Sequence, residues 1–248
     1  MKFSVVIPAH NEAPNLPGAI AGIMAALSQA GLDYEIVVVN DCSSDSTAAL
    51  LAELSARHAA LRAIDRSGPR RYGLTVRAGL AAAQGDAVAV MMADGSDSPD
   101  DLVRYCRKIL EGYDCVFGSR FIRGGRVIGY PLHKLLLNRL ANWFIRLLFG
   151  LPYNDITNAF KCYRRAVVAG IGPLIAPHFN LTVEMPLKAI VRGFSYAVIP
   201  ITWTNRRAGV SKLKIQEMGS RYLFIVLYVW LEKLLARGDY HRDTTSYV

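Results

Sequence analysis

Residues 35–47 read EIVVVNDCSSDST. Ile36 to Val39 is an unbroken β-branched run, the pattern of a strand covered on both faces rather than one with a wet side. The Asn-Asp-Cys-Ser-Ser-Asp that follows is rich in side chains that hydrogen-bond their own backbone and end a strand. Asp45 then stands where a carboxylate caps a helix carrying Leu50, Leu51 and Leu54. Strand, turn and helix in this order are half of a parallel crossover.

The same unit recurs on either side. Phe3 to Pro8, Leu61 to Asp65, Ala87 to Met92 and Cys115 to Ser119 read as further strands. Leu16, Ile20, Ile23, Met24 and Leu27 form one apolar stripe at helical spacing. Another helix opens at Ser98-Pro99-Asp100-Asp101, with a capping hydroxyl, a Pro at the first helical position and acids at the positive end of the dipole. Repeated strand–helix units predict an α/β fold with a mostly parallel sheet and helices on both faces. Ligands of such sheets bind beyond the carboxyl ends of the strands. Here those ends are Pro8-Ala9-His10-Asn11-Glu12, Asn40 to Asp45, Ala93 to Asp97, and Gly118-Ser119-Arg120, and most are acidic.

The chain has 248 residues, 52% of them hydrophobic and 20% charged, which excludes a disordered or disulfide-stapled class. The expected organisation is one domain over 1–215, which includes an amphipathic stretch at about 131–151, and a carboxyl-terminal amphipathic helix and polar tail over 216–248. Cys42, Cys106, Cys115 and Cys162 show no C-x-x-C pair, and no secretory signal is visible, so a reducing, cytoplasmic setting is expected. His10, His58, His133, His178 and His241 have no metal spacing and read as incidental. Charge is polarised: residues 1–119 hold 10 Lys plus Arg against 14 Asp plus Glu, and residues 120–248 hold 19 against 6. A basic half of this kind meets phosphate or an anionic surface. The longest apolar run, Tyr222 to Leu231, is ten residues, half of the ~20 that span a bilayer.

Four groups of residues carry chemistry. Asp41 ends a strand, where its carboxylate either accepts from a nucleobase edge or merely closes an Asx turn. Asp94 and Asp97 flank Gly95-Ser96, a hard-oxygen set suited to Mg²⁺ or Mn²⁺. The run Arg206-Arg207-Ala208-Gly209-Val210-Ser211-Lys212 offers guanidinium, hydroxyl and ammonium donors to phosphate, and Arg120, Arg123 and Arg126 surround Gly124-Gly125. Each basic loop has a plainer reading as a solvated surface. No G-x-S-x-G, Walker A or G-x-G-x-x-G motif is present.

Six segments in order resemble the family 2 inverting glycosyltransferases: VVIPAHNE (5–12), VVVNDCSSDST (37–47), MADGSDSPDD (92–101), GSRFIRGG (118–125), DITNAFKCYRR (155–165) and NRRAGVSKL (205–213). The branch they are most similar to includes dolichol-phosphate mannose synthases and bacterial polyprenyl-phosphate sugar transferases. The resemblance covers Phe3 to about Lys214. It implies a GT-A, Rossmann-like fold and a donor such as GDP-mannose or a UDP-hexose. It also implies a polyprenyl (dolichyl or undecaprenyl) phosphate acceptor, a divalent metal, and peripheral attachment at the cytoplasmic face of a membrane.

Carried over by position, the resemblance sets the nucleotide at Pro8, Ala9, Asn11, Glu12, Asp41, Asp94, Arg206 and Lys212. Asp94 and Arg206 act on the leaving group, and the metal rests on Asp94 with Ser96 and Asp97. The acceptor phosphate meets Arg120, Lys134 and Asn138. Met92 stands where the family's D-x-D motif has its first acid, and the Q-x-x-R-W motif of hydroxyl-acceptor members is absent. Two alternatives stay open: a family 2 transferase acting on a sugar hydroxyl, with Asp155 or Glu184 as base, and a catalytically weak nucleotide-sugar binding protein. Nucleic-acid binding is disfavoured for want of a recognition motif.

Overall fold

The computed structural model describes residues 1–205 and 215–242, with the side chains of 215–218 outside that description. In chain order the elements are β1 (Lys2–Ala9), α1 (Leu16–Gln29), β2 (Asp33–Asp41), α2 (Thr47–Arg57), β3 (Leu61–Arg66), α3 (Tyr72–Ala82), β4 (Ala87–Val90), α4 (Pro99–Leu110) and β5 (Cys115–Ser119). There follow β6 (Arg126–Ile128), α5 (Leu132–Phe149), β7 (Lys161–Arg164), α6 (Arg165–Gly170), α7 (Leu181–Val191), β8 (Tyr196–Pro200), β9 (Thr202–Thr204) and α8 (Ile215–Leu235).

Seven strands form one sheet in the order β3-β2-β1-β4-β7-β5-β8, and β6 pairs with β9 in a small second sheet. The expected parallel pairing holds from β3 through β4 and between β5 and β8. β7 departs from it by lying antiparallel between β4 and β5. This strand, LysCysTyrArg, is too short for its direction to be read from pattern. Val6, Val37 and Val39 point to one face and Val5, Ile7, Ile36 and Val38 to the other, and all are buried, which is why β1 and β2 lack alternation.

Helix α3 is the main addition to the expected elements. Gly68 to Gly73 reads locally as a loop, yet Tyr72 begins a helix whose Gly73 lies against the 176–178 backbone: a Cβ there would sit 2.5 Å from the Ala176 carbonyl oxygen. The hydroxyl expected to cap α4 makes no such bond, and Pro99 and two first-turn acids start the helix instead. Helix α8 shares the core of the preceding domain, burying Ile225, Val226 and Val229 on the α7 side of the sheet. No helix among the described residues is long and apolar enough to cross a membrane.

Candidate functional site

The carboxyl ends of β1, β2 and β4 lie side by side, as parallel neighbours must, and bring three separate sequence segments to one rim. At the end of β1, Pro8 and Ala9 lead into Asn11, whose left-handed backbone (φ 51°) an asparagine tolerates. Asn11 is stitched to the β2 turn: its amide donates to Ser43 Oγ at 3.0 Å, and its Oδ1 accepts from the Ser44 amide at 2.8 Å. The Glu12 amide donates to Thr47 Oγ1, and Glu12 Oε2 accepts from the Asn15 side chain at 2.7 Å. Asp45 does not take the expected capping place on α2: Ser46 holds the N-cap position without a side-chain capping bond, and Asp45 closes the turn before it, accepting from the Thr47 amide at 3.0 Å and also from the Ala13 amide.

Asp41 is buried at the end of β2, and Arg66, at the end of neighbouring β3, donates Nε to its Oδ1 at 2.9 Å. The Arg66 Nη2 joins the same oxygen and also the Pro69 carbonyl. Sequence reading missed Arg66, because its meaning comes only from the register that sets Asp41 beside it. It also took His10 as incidental. His10 Nδ1 meets the Asp41 carbonyl at 2.9 Å, so Nδ1 must carry the proton, and Nε2 then accepts from Arg70 at 3.1 Å. The β3–α3 loop is thereby tied to the rim.

The acid turn at the end of β4 is compact. Gly95 takes a left-handed φ of 69°, and the Ser96 amide donates back to Asp94 Oδ1 at 3.1 Å. Asp97 Oδ2 accepts the Met92 amide at 3.0 Å. Strand β9 closes over this turn through Thr204 N to Ser96 O (3.0 Å) and a bridge between Trp203 and Asp97, while Asp101 Oδ2 accepts from the Thr202 amide. Burial pushes the Asp97 carboxyl up to about 7; the Asp94 charge adds to the rise, and the Met92 amide and Arg120 oppose it.

A metal at this turn can therefore be tested against its donors. Two carboxylates held in each other's field, with a serine between them, form a hard-oxygen set, which fits a divalent cation. Among the described residues no cluster of three or more His, Cys, Asp or Glu is poised to hold one. The rest of any coordination shell must come from a bound ligand and water.

Beyond β5 the site becomes cationic. The Arg120 amide and Nε both donate to Asp155 Oδ2 (3.0 and 2.8 Å), and Nη2 donates to Oδ1 at 2.7 Å. Burial alone works against that guanidinium, but the Asp155 carboxylate outweighs it and holds Arg120 charged. Asn138 Nδ2 donates to Thr157 Oγ1 at 2.8 Å, its Oδ1 accepts from Asn142, and Lys134 is half-buried one turn earlier on α5. Glu184 is fully buried elsewhere, accepting the Ile175 and Ala176 amides at 2.8 Å and facing Lys188. Asp155 has both oxygens bound to Arg120, so neither acid presents itself as a general base. Arg206 and Lys212 lie outside the described residues.

The outer surface of α5 has a different character. Leu132, Leu136, Leu140, Trp143, Phe144 and Leu147 are exposed, and Leu223, Phe224, Leu227 and Leu231 of α8 are exposed as well. Single exposed leucines are ordinary, but such rows on two contacting helices are not. A cleft of about 290 Å³ lies among the carboxyl-terminal ends of α5, α7 and α8, away from the acid turn. Its main charges are already paired, Arg192 Nε with Glu232 Oε1 at 2.7 Å. Depth alone therefore does not mark the site.

The chain has recognisable relatives. Residues 4–172 match the family model described as glycosyl transferase family 2. The chain is 35% identical over 215 residues to the polyprenol monophosphomannose synthase of Mycolicibacterium smegmatis, covering 84% of this chain and 80% of that one. It is 34% identical over 219 residues to the dolichol-phosphate mannosyltransferase of Pyrococcus furiosus, covering 86% of this chain and 60% of that longer protein. The fold matches a crystal structure of glucosyl-3-phosphoglycerate synthase from Mycobacterium tuberculosis, in complex with Mn²⁺, UDP and glucosyl-3-phosphoglycerate, with a TM-score of 0.63 at 20% identity. That match covers 98% of this chain and 81% of the other.

Proposed function

The chain belongs to glycosyl transferase family 2 and is a glycosyltransferase, and from this premise we propose that it moves a hexose from a nucleoside diphosphate to a polyprenyl phosphate at a membrane surface. The observation that carries the acceptor assignment is α5. Its less exposed side carries Lys134, Asn138, which is bonded to Thr157, and Arg139, which packs on Phe121, and its outer side exposes Leu136, Leu140, Trp143 and Leu147. An acceptor with an anionic head and a hydrocarbon tail uses both sides. The names of the two relatives, one a polyprenol monophosphomannose synthase and the other a dolichol-phosphate mannosyltransferase, support the same acceptor class and a mannose donor.

In this reading the rim at Pro8, Ala9, Asn11, Glu12 and Asp41 holds the nucleoside, with Arg66 fixing Asp41 so that one carboxylate oxygen faces the base. Asp94 and Asp97, with Ser96, hold the metal. A divalent cation, when bound, supplies positive charge to the leaving diphosphate. Arg206 and Lys212 are the further cations that the sequence offers to that diphosphate.

The acceptor phosphate, with a second pKa near ~6, is mostly dianionic at neutral pH and needs no protein base. Its oxygen attacks the anomeric carbon as the bond to the diphosphate breaks on the opposite face, and configuration inverts. The chain's contribution is alignment and charge stabilisation, not proton abstraction. The engaged states of Asp155 and Glu184 favour this over the hydroxyl-acceptor alternative. The exposed α5 and α8 faces, with the basic second half, support peripheral attachment to an anionic cytoplasmic leaflet.

The test is turnover. Purified chain is offered GDP-mannose, UDP-glucose and UDP-N-acetylglucosamine with a polyprenyl phosphate, with and without Mn²⁺. Metal-dependent formation of a glycosylated lipid phosphate is expected; transfer only to a sugar hydroxyl sinks the acceptor assignment.

A further inference from the structure

Arg139 stands on the inner side of α5 with its guanidinium carbon 4.3 Å from the centre of the Phe121 ring. Arg120 lies against the same ring at 5.1 Å. The two cations are thus gathered at one aromatic residue, and both oxygens of the Asp155 carboxylate serve Arg120. Arg139 makes a single long hydrogen bond, 3.4 Å from Nη1 to the Asn154 carbonyl, and no ion pair among the described residues. Asn154 in turn donates to the Phe121 carbonyl at 3.2 Å and accepts from Ser119 Oγ at 2.5 Å, so platform and cation are fixed by the same loop.

A guanidinium packed on an aromatic ring, half-buried, with most of its N–H groups uncommitted and no ion pair among the described residues, is prepared for an anion of matching fork geometry. Arg120 is not, since Asp155 already occupies its fork. Asn138 is bound to Thr157 and Asn142. From this difference we infer that Arg139, on its Phe121 platform, is the side chain that grips the phosphate monoester of the acceptor. Lys134 adds a point charge, and Arg120 contributes its field from the Asp155 clasp. The apolar row that begins on the outer side of the same helix makes the ligand a phosphate monoester carrying a hydrocarbon tail. This rests on the acceptor reading above.

The experiment measures equilibrium binding of geranylgeranyl phosphate and geranylgeraniol to the full chain and to Arg139→Met, Arg139→Lys and Arg146→Met. Arg146 lies at the far end of α5, bonded to the Leu151 carbonyl, and serves as the control. Met keeps an unbranched stem against Phe121 and removes the charge. We expect Arg139→Met to bind the phosphate about 10- to 100-fold more weakly, the loss of a charge-assisted bond, with the alcohol, the melting midpoint and donor KM unchanged. Acceptor KM should rise by the same factor, and Arg139→Lys should recover part of it.

Wild-type binding of the phosphate by Arg139→Met overturns the inference and leaves the function standing. Equal loss for phosphate and alcohol also overturns it, marking a packing residue. Equal loss on phosphatidylserine vesicles without prenyl phosphate overturns it in favour of a general membrane cation. A wild-type chain with no preference for phosphate over alcohol removes the acceptor reading itself, and the inference with it.

Discussion

Arg120 and Asp155 form a buried clasp: three hydrogen bonds of 2.7–3.0 Å join the amide and guanidinium of one to the carboxylate of the other, 35 residues along the chain. It welds the β5 end to the loop before β7, and so fixes where the acidic rim meets the cationic side beyond β5. Removing one partner leaves a desolvated charge. Asp155→Asn is therefore expected to lose about 3–5 kcal/mol of stability, read by chemical denaturation. Replacing both residues with apolar ones of similar volume should restore much of that stability without restoring transfer. Equal stability of wild type and Asp155→Asn would show that the clasp is not a structural element.

Asp94→Asn removes a charge from the acid turn but no core volume, and its amide oxygen can still accept from Ser96. The fold should survive while transfer loses its response to Mn²⁺. The check is turnover across a Mn²⁺ titration beside a melting curve, and unchanged metal dependence removes Asp94 from the metal site.

Lys161 gives a pH dependence of known sign. Its Nζ is buried and donates to the carbonyls of Ile156, Asn158 and Thr182, and burial pushes its pKa down to about 7. Between pH 7 and the ordinary lysine range the unfolded chain binds a proton that the folded chain has released. Stability from this group therefore rises with pH, by at most about 1.4 kcal/mol per unit. Asp97 runs the other way: it holds its proton in the fold up to about 7, so it lowers stability as pH climbs toward that value and adds nothing above it. Denaturation midpoints from pH 7 to 9 should climb in wild type and flatten in Lys161→Met, whatever that variant's absolute stability. Parallel slopes would return the group to ordinary lysine behaviour.

Leu140→Glu combined with Leu147→Glu places charge on the exposed face of α5, where both leucines are more than half exposed and little core contact is lost. Flotation with vesicles containing phosphatidylserine should fall sharply, while melting stays within about 0.5 kcal/mol of wild type, as for other surface changes. Wild-type binding should weaken with salt. Undiminished flotation of the double variant moves the attachment away from α5.

Arg66→Ala frees Asp41 from its partner and should weaken donor binding through loss of orientation while acceptor KM stays put. Calorimetric titration with the nucleoside diphosphate checks this, and equal affinity would assign Arg66 to holding the β3 loop alone.

The sequence by itself determined the alternation of buried strands and helices, because β-branched runs without a polar side have few other places to go. It also determined the residue types at the strand ends: Asp41, Asp94, Asp97 and Arg120 all reach the rim, since parallel strands put like ends together. The exposed row on α5 was legible as an apolar stripe, although the pattern did not say which way it faces. Tertiary structure alone decided the pairings. Arg66 gains its role because β3 lies beside β2, and Arg120 is engaged because a loop 35 residues on delivers Asp155. Arg139 stands apart from its neighbour because, among the described residues, the fold brings it a ring and a backbone carbonyl rather than a second carboxylate. A charge's sign is local and can be read from the chain, but whether that charge is neutralised depends on what the fold brings within about 4 Å of it, which no local pattern encodes.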